Sequence, residues 1–298
     1  MNFYIYGCTG KGNVRDHNED AILINHDVIQ CGALEASISM PFLTAVCDGV
    51  GGEKAGEVAS QLCLKYLAVA DYNSTTDINK MVLDIHNNII RHGSANPETV
   101  NMQTTLCCLA VDEYNNSFCI NVGDSRMYRY VNGVSHQISS DQTYGKFLYE
   151  HGEINSINEL DPKMRSAIIS SMGSIIQNPI IDVIPLVSQL GDISDDAIII
   201  CSDGVSGSVT TEEMDIALAF DIPFKDKIET IYELALKKGS TDNVSIIGVK
   251  PYKTDDEYSK YVFPQREEEQ PKEIEIAVEE KQLADKSIEN LEKLIEDF

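Results

Sequence analysis

The sequence FLTAVCDGVGGEKAGEVAS occupies residues 42–60 and changes character at Asp48. The six residues before Asp48 are mostly apolar, as in a buried strand. From Ala55 onward, small and apolar residues recur at steps of four and three, as on one face of a helix. The glycines between the two patterns allow a tight turn. This stretch therefore predicts a strand that ends in a carboxylate, followed by a short loop and a helix.

Strand-like and helix-like patterns recur along the rest of the chain. A second helical run starts at Asp77 and passes through Ile85 and Ile89, and a third runs from Pro223 to a stop at Gly239. Strands interrupted by paired helices predict an α+β layered domain. The strand-like runs are residues 3–8, 42–47, 105–111, 117–122, 197–201 and 244–249.

Composition limits the class of protein. The chain has 298 residues, of which 43% are hydrophobic, enough for a substantial core. It has no signal-like start and no long apolar run, so we expect a cytoplasmic protein that does not span a membrane. Its eight cysteines form no CxxC pair, which indicates reduced, buried thiols. A net charge of -25 disfavours nucleic-acid binding, although acidic excess can also serve solubility alone.

The composition changes near residue 251. Residues 251–298 contain 15 acidic and 7 basic residues, and we expect them to form an acidic extension to a domain of residues 1–250. An amphipathic helix is predicted near the C-terminus. This helix either docks on its own domain or binds a partner or a second copy of the chain. Its apolar positions are Ala284, Ile288, Leu291, Ile295 and Phe298.

Four short acidic motifs suggest a metal site. They are NED at residues 18–20, DGVGG from Asp48, SDG at 202–204 and TDN at 241–243. Asp48, Asp203 and Asp242 each lie next to a strand-like run, where a sheet can gather distant residues. Each motif alone is also ordinary turn chemistry. Carboxylates that converge repel one another and need a cation, and oxygen ligands favour magnesium or manganese.

The order of these motifs resembles the metal-dependent serine/threonine protein phosphatases of type 2C, in a form similar to bacterial members. The resemblance covers roughly residues 1–250. The matching pieces are GNVRDHNED from Gly12, AVCDGVGGEKAGEVAS from Ala45, MQTTLCCLAV from Met102, NVGDSRMYRY from Asn121, ISSDQT from Ile138, PKMRSAIISSMG from Pro162, CSDGV from Cys201 and STDNVSIIGV from Ser240.

The resemblance implies two antiparallel β-sheets packed as a central sandwich and flanked by helix pairs. It also implies two manganese or magnesium ions at one edge. In such enzymes the residue matching Asp48 bridges both ions, and the backbone carbonyl matching Gly49 binds one of them. The residues matching Asp203 and Asp242 bind the other, with Asp20 supporting it directly or through water.

Two further residues acquire roles through the resemblance. The residue matching Arg15 binds the substrate phosphate, as suits a guanidinium that can meet two phosphate oxygens. A surface or structural arginine is the alternative. Asp124 matches a position that helps to hold a third, weaker ion in bacterial-type members, whereas GDSR can equally be a tight turn between strands.

The implied reaction is hydrolysis of phosphoserine and phosphothreonine in proteins by a metal-activated water, with no phosphoenzyme. The chain departs from the family pattern at Val50, where many eukaryotic members have a histidine, and at Gln103 and Gln142. Residues 143–181 match the variable flap of the family, and we expect this segment to border the cleft.

Two other functions remain open at this stage. One is a scaffold that binds phosphoproteins or a regulator without turnover, and the other is a two-metal hydrolase of small phosphate esters. For the enzyme, the implied partners are phosphorylated proteins, with a serine/threonine kinase acting in the opposite direction. Replacement of Asp48 or Asp203 separates the enzymes from the scaffold, and substrate profiling separates the two enzymes.

Overall fold

The computed structural model describes residues 1–50, 54–193 and 195–253. The described strands form two six-stranded sheets and one two-stranded sheet. In chain order they are β1 (Asn2–Gly10), β2 (Ala21–Ile24), β3 (Asp27–Ile29), β4 (Gly32–Ser39), β5 (Phe42–Cys47), β6 (Gly49–Val50), β7 (Gln103–Thr104), β8 (Leu106–Val111), β9 (Ser117–Val122), β10 (Arg126–Val131), β11 (Val134–Gln137), β12 (Asp182–Pro185), β13 (Ala197–Cys201) and β14 (Val244–Tyr252).

Both large sheets are antiparallel throughout the described residues. The first has the order β11, β10, β13, β14, β1, β4, and the second has the order β12, β9, β8, β5, β2, β3. Strands β1 and β14 pair in register from Asn2 opposite Tyr252 to Gly10 opposite Val244. This long ladder joins the two ends of the described chain in the middle of the first sheet.

The helices connect and cover the strands. A short 3-10 turn, Ile157–Glu159, lies between α3 and α4. The α-helices are α1 (Lys54–Ala68), α2 (Ile78–Gly93), α3 (Tyr144–Glu150), α4 (Pro162–Ser166), α5 (Asp203–Ser206), α6 (Thr211–Ala219) and α7 (Phe224–Lys237).

The elements stack in four layers around three apolar cores. Side chains such as Phe3 and Ile22 fill the space between the two sheets. Leu64 of α1 and Ile85 of α2 pack on the outer face of the second sheet, and Ile228 of α7 packs on the outer face of the first. Burial of apolar surface on both faces explains why the central strands are continuous apolar runs. The predicted sandwich flanked by helix pairs is confirmed.

The residues that begin α2 and α7, and the residue that ends α7, are those that the sequence predicted. Asp77 caps α2, because its Oδ1 accepts a hydrogen bond from the Lys80 N–H at 3.0 Å. Gly239 follows α7 with a φ of +80°, a conformation that glycine adopts without strain. The predicted helix starts at Asp77 and Pro223 are therefore confirmed to within a residue.

Seven of the eight cysteines are buried and all are free thiols, while Cys31 is exposed. Among the described residues, no helix has the length and apolarity needed to cross a bilayer.

Strand β14 continues to Tyr252, slightly past the domain boundary expected from composition. The predicted C-terminal helix lies outside the described residues.

A buried histidine attaches the segment after α4 to the helix layer. His86 of α2 is 1% exposed, and its Nδ1 accepts a hydrogen bond from the Gly173 N–H at 3.0 Å. Burial lowers the pKa of His86, because the charged imidazole would lose its hydration. The contact therefore needs the neutral ring.

We predict that His86 makes stability depend on pH. Because its folded-state pKa lies below the unfolded value of about 6.5, the unfolded chain takes up the proton first, and stability falls as pH drops below about 6.5. The loss is at most about 1.4 kcal/mol for each pH unit, down to the folded-state pKa. In His86→Asn, Oδ1 can accept the same bond without titrating. Urea unfolding between about pH 5 and pH 8 should show the stability gap between wild type and variant narrowing towards low pH.

The control is His136→Asn, because His136 is exposed on β11. This variant should keep the pH dependence of the wild type. A gap between wild type and His86→Asn that stays constant over the whole pH range would contradict the prediction.

Candidate functional site

The strand register brings Asp20 and Asp48 to the same end of the second sheet. Asp20 immediately precedes β2, and Asp48 immediately follows β5. The first residue of β2, Ala21, is paired with the last residue of β5, Cys47. Because the two strands are antiparallel, the aspartates that flank this pair are neighbours.

The first sheet brings three more aspartates to this end of the sandwich. Asp203 follows β13, Asp242 precedes β14 and Asp124 precedes β10. Cys201 of β13 is paired with both neighbouring strands, with Ile246 of β14 on one side and Arg126 of β10 on the other. The three carboxylates therefore lie at adjacent strand ends. We call Asp20, Asp48, Asp124, Asp203 and Asp242 the aspartate cluster.

The carboxylates of the aspartate cluster are close enough for the charge of one to affect the pKa of another. Burial raises the pKa of Asp48 well above its usual value, and the charges of Asp20, Asp203, Asp124 and Asp242 raise it further. Burial, followed by the charges of Asp203 and Asp242, raises the pKa of Asp20 to about 7, although hydrogen bonds from serines oppose the shift. Asp48 and Asp20 are thus harder to ionise because neighbouring carboxylates are present.

Asp124 and Asp203 show the same effect. Burial raises the pKa of Asp124 to about 7, with a contribution from Asp203. Burial and then Asp242 raise the pKa of Asp203, while a hydrogen bond with Asp48 partly offsets this. At neutral pH, ionisation of the whole cluster therefore requires positive charge in its midst.

The chemistry of the aspartate cluster suits a hard divalent cation. Two of its buried oxygens, Oδ1 of Asp20 and Oδ1 of Asp203, have no hydrogen-bond partner. Unpartnered carboxylate oxygens among like charges are what magnesium or manganese would satisfy. In the described part of the chain, no three His, Cys, Asp or Glu side chains already form a metal-binding group. The cluster thus has suitable donors, but they are not pre-arranged as a ligand shell.

Arg15 reaches the aspartate cluster through Asp242. Its Nη2 lies 2.7 Å from Asp242 Oδ2, and both side chains are partly accessible to solvent. The bond to Asp242 raises the pKa of Arg15, and the charges of Glu19 and Asp48 also contribute. Arg15 therefore lies at a solvent-accessible edge of the aspartate cluster, with part of its guanidinium engaged by a carboxylate.

The backbone around Asp48 is fixed by β7 and by the residue after it. The Asp48 N–H donates to Thr105 Oγ1 at 2.9 Å, and the Asp48 carbonyl accepts from the Thr105 N–H at 2.8 Å and from Thr104 Oγ1 at 2.9 Å. A Cβ on Gly49 would lie 2.3 Å from the carbonyl oxygen of Gly56. A side chain at this position would collide with the backbone of α1, so only glycine fits there.

Some residues of the site were not singled out from the sequence. Asn243 holds the NED segment, because its Oδ1 accepts from the Glu19 N–H at 2.8 Å and its Nδ2 donates to the His17 carbonyl at 2.8 Å. Ser202 donates from Oγ to Asp20 Oδ2 at 2.7 Å. Both residues lie inside the recognised motifs, but short motifs give no sign of such cross-chain contacts.

The segment predicted to be a flap meets the site through β7. Met172 and Thr104 exchange backbone hydrogen bonds of 2.8 and 3.1 Å, and Ser171 Oγ donates to Gln103 Oε1 at 2.6 Å. Since β7 pairs with Gly49 and Val50, the segment lies against the Asp48 end of the site.

Comparison with known proteins gives the same class. The family profile described as protein phosphatase 2C matches residues 23–244. The chain is 25% identical over 252 residues to the serine/threonine phosphatase stp of Listeria innocua, covering 81% of this chain and 93% of that protein. The crystal structure of the Mycobacterium tuberculosis serine/threonine phosphatase PstP/Ppp is similar with a TM-score of 0.68 and 29% identity, covering 84% of this chain and 99% of that one.

A further solved structure is the catalytic domain of PstP in complex with two manganese ions, with a TM-score of 0.63 and 28% identity over 84% of this chain and 99% of that chain. The two-sheet sandwich is thus of the class to which these serine/threonine phosphatases belong. The chain belongs to the protein phosphatase 2C family. The predicted family and enzyme class are confirmed.

Repulsion within the aspartate cluster predicts a response to metal removal. In chelator, Asp48 must either carry a charge that the other carboxylates repel or take up a proton on folding, and either cost lowers stability at neutral pH. Asp48→Asn removes this cost, so the variant should melt a few degrees higher than wild type, about 2–4 °C for each 1 kcal/mol gained. Added manganese should raise the melting temperature of wild type, and much less that of the variant. Differential scanning fluorimetry measures both effects.

The matched control is Asp84→Asn, since Asp84 is exposed on α2 and pairs only with Lys80 among the salt bridges of the described residues. It should behave as wild type with and without manganese. A lower melting temperature of Asp48→Asn in chelator, together with an unchanged manganese response, would contradict the assignment.

Proposed function

We propose that this chain hydrolyses phosphoserine and phosphothreonine in proteins, with two manganese or magnesium ions held by the aspartate cluster. The observation that carries the proposal is the meeting of five aspartates, from distant parts of the chain, at one end of the sandwich. The raised pKa values of Asp20, Asp48, Asp124 and Asp203 call for positive charge. Membership of the protein phosphatase 2C family supplies the reaction class.

The proposed ligands follow the family pattern. Asp48 lies where the charges of all other cluster members act on it, which suits a residue shared by two ions. The Gly49 carbonyl would help to hold one ion, and Asp203 and Asp242 would hold the other with support from Asp20. When bound, the two ions would lower the pKa of a shared water and neutralise charge on the phosphoryl group. We assign a third, weaker ion to Asp124.

Arg15 is proposed to orient the phosphate. Its guanidinium lies beside Asp242 at the accessible edge of the cluster, so a phosphate there can meet two of its N–H groups. Water attacks phosphorus in line with the leaving serine or threonine oxygen, and no side chain forms a covalent intermediate. Val50 cannot donate a proton, so the leaving oxygen takes its proton from water.

The proposed substrates are phosphorylated proteins, and a serine/threonine kinase would supply them. The full set of carboxylates favours an enzyme over a scaffold that only binds. We propose that residues 1–250 carry the activity in the cytoplasm, and that residues 251–298 are an acidic extension whose C-terminal helix binds a partner or a second copy. A comparison of phosphopeptides with aryl phosphates and nucleotides tests the substrate class.

Replacement of cluster members should abolish turnover. With saturating manganese, Asp48→Asn and Asp203→Asn should each lower kcat for a phosphothreonine peptide by at least about a hundredfold, since they remove charge from the ions' ligands. Phosphate release measures the rate, and chelation should abolish the wild-type activity. Asp84→Asn should be fully active, and full activity of both cluster variants would refute the assignment.

Arg15 should affect substrate use through its contact with phosphate. Loss of charge-assisted hydrogen bonds worth about 1.5–3 kcal/mol should lower kcat/KM of Arg15→Ala by about ten- to a hundredfold. Arg15→Lys keeps the positive charge but not the planar guanidinium, so its kcat/KM should lie between those of wild type and Arg15→Ala. Steady-state kinetics on a phosphopeptide gives the values.

Arg91→Ala is the control, because Arg91 is exposed on α2 and bonds only to Asn88 among the side-chain contacts described. It should match wild type. An unchanged kcat/KM for Arg15→Ala would make Arg15 a structural or surface arginine.

A further inference from the structure

Gln142 lies between β11 and α3 and is buried, with 7% of its surface exposed. All its polar groups are hydrogen-bonded. Its backbone N–H donates to the Gly123 carbonyl at 3.0 Å, and its carbonyl accepts from the Ile169 N–H at 2.9 Å. Its side-chain oxygen and nitrogen are used as well, so this residue joins several segments at one point.

The first of these segments is the turn that carries Asp124. Gln142 Oε1 accepts a hydrogen bond from the Gly123 N–H at 2.8 Å, so both peptide groups of Gly123 are bound to Gln142. Gly123 has a φ of +104°, and a Cβ there would lie 2.7 Å from Thr105 Cγ2. The turn is thus held by the close approach of Thr105 to Gly123 and by the two hydrogen bonds between Gly123 and Gln142.

The second segment is the 169–180 loop. The carboxamide nitrogen of Gln142 donates to the Ile180 carbonyl at 3.1 Å and to Asp182 Oδ2 at 2.9 Å. With the backbone bond to Ile169, Gln142 therefore fixes both ends of the loop. The loop exposes apolar side chains, since Ile176 is 83% exposed.

The middle of the 169–180 loop is bound to the opposite half of the site. Met172 exchanges two backbone hydrogen bonds with Thr104, whose Oγ1 donates to the Asp48 carbonyl. The loop is therefore connected to Asp48 through Thr104 and to the Asp124 turn through Gln142. A shift of the loop base would change the separation of these two carboxylates.

We propose that Gln142 is a positioning residue, whose carboxamide holds the Asp124 turn and the 169–180 loop together and thereby sets Asp124 within the aspartate cluster. The inference rests on the proposed function, because it assigns Gln142 a part in building that metal site. The side-chain oxygen and nitrogen of Gln142 are bound to Gly123, Ile180 and Asp182, so the proposed effect on the metal site acts through Asp124.

The role requires one acceptor and one donor in the same side chain. An amide supplies both at every pH. A leucine of similar size supplies neither, and an ionised glutamate supplies only the acceptor and places its charge beside Asp182. A neutral histidine supplies both, with one ring nitrogen as acceptor and the other as donor. These replacements separate hydrogen bonding from size.

The experiment compares Gln142→Leu, Gln142→Glu and Gln142→His with wild type at about pH 8, where an unperturbed imidazole is neutral. An aryl phosphate serves as substrate and manganese is titrated. For the leucine and glutamate variants we expect kcat to fall about tenfold and the manganese concentration for half-maximal activity to rise about tenfold, equivalent to about 1.4 kcal/mol. KM for the aryl phosphate should stay within about twofold of wild type. Histidine should restore most of both values.

Titration calorimetry of manganese, with no substrate, gives a second readout that does not need turnover. An inactive wild type would contradict the proposed function, whereas an active wild type with the same manganese dependence in Gln142→Leu would overturn only the role of Gln142. Equal losses in the leucine and histidine variants would also overturn it. Gln189→Leu, at an exposed position whose amide donates to the Tyr114 carbonyl, is the control and should match wild type.

A folding defect is tested separately. If Gln142→Leu does not fold, the role of Gln142 is tested with Asp182→Ala. This variant removes one acceptor of the Gln142 carboxamide and leaves the contact with Gly123 intact. It should raise the manganese concentration for half-maximal activity in the same direction and by less. An unchanged value would overturn the proposal.

Discussion

Mutual repulsion among the carboxylates of the aspartate cluster is the constraint on which the rest of this molecule depends. Five negative groups at one end of a sandwich oppose folding, because burial and neighbouring charge both disfavour ionisation. The rise in the pKa of Asp20 and of Asp124 to about 7 expresses that cost. This repulsion increases the affinity of the site for cations, because each bound ion would relieve the repulsion between several carboxylates at once.

A frame that tolerates such repulsion has to be strong elsewhere. The β1–β14 ladder, nine residue pairs long, ties Asp242 at the start of β14 to the middle of the first sheet. Three cores separate the four layers, so the strand ends cannot move apart without disturbing tight packing. Neutral side chains hold the aspartate cluster locally by hydrogen bonds that add no charge. Ser202 donates to Asp20, and Asn243 accepts from the Glu19 N–H.

The sequence predicted those parts of the fold whose signal is local. Strands buried on both faces appear as apolar runs, and helix ends carry capping residues such as Asp77. Strand β10, RMYRYV, was not among the predicted strands, because Arg129 interrupts its apolar pattern. In the structure Arg129 is buried in an ion pair with Asp196 on a distant segment. Strand β4 was also missed, since it is an edge strand with alternate residues exposed. Both strands form through contacts with residues distant in the sequence, Arg129 of β10 with Asp196 and β4 with β1.

The site shows the same division. Its carboxylates were predicted because they lie in short motifs next to strand-like runs and because these motifs match a family, whereas Gln103 and Gln142 make contacts with residues 68 and 40 positions away. Both are neutral amides placed where the 169–180 loop meets the site. A cation at these positions would compete with the metal ions for the carboxylates, and another carboxylate would add to the repulsion. An amide donates and accepts without contributing net charge. Beside the aspartate cluster, a neutral amide can therefore hold the loop by hydrogen bonds without changing the net charge of the site. The negative charge of the carboxylates would then be compensated by the metal ions alone.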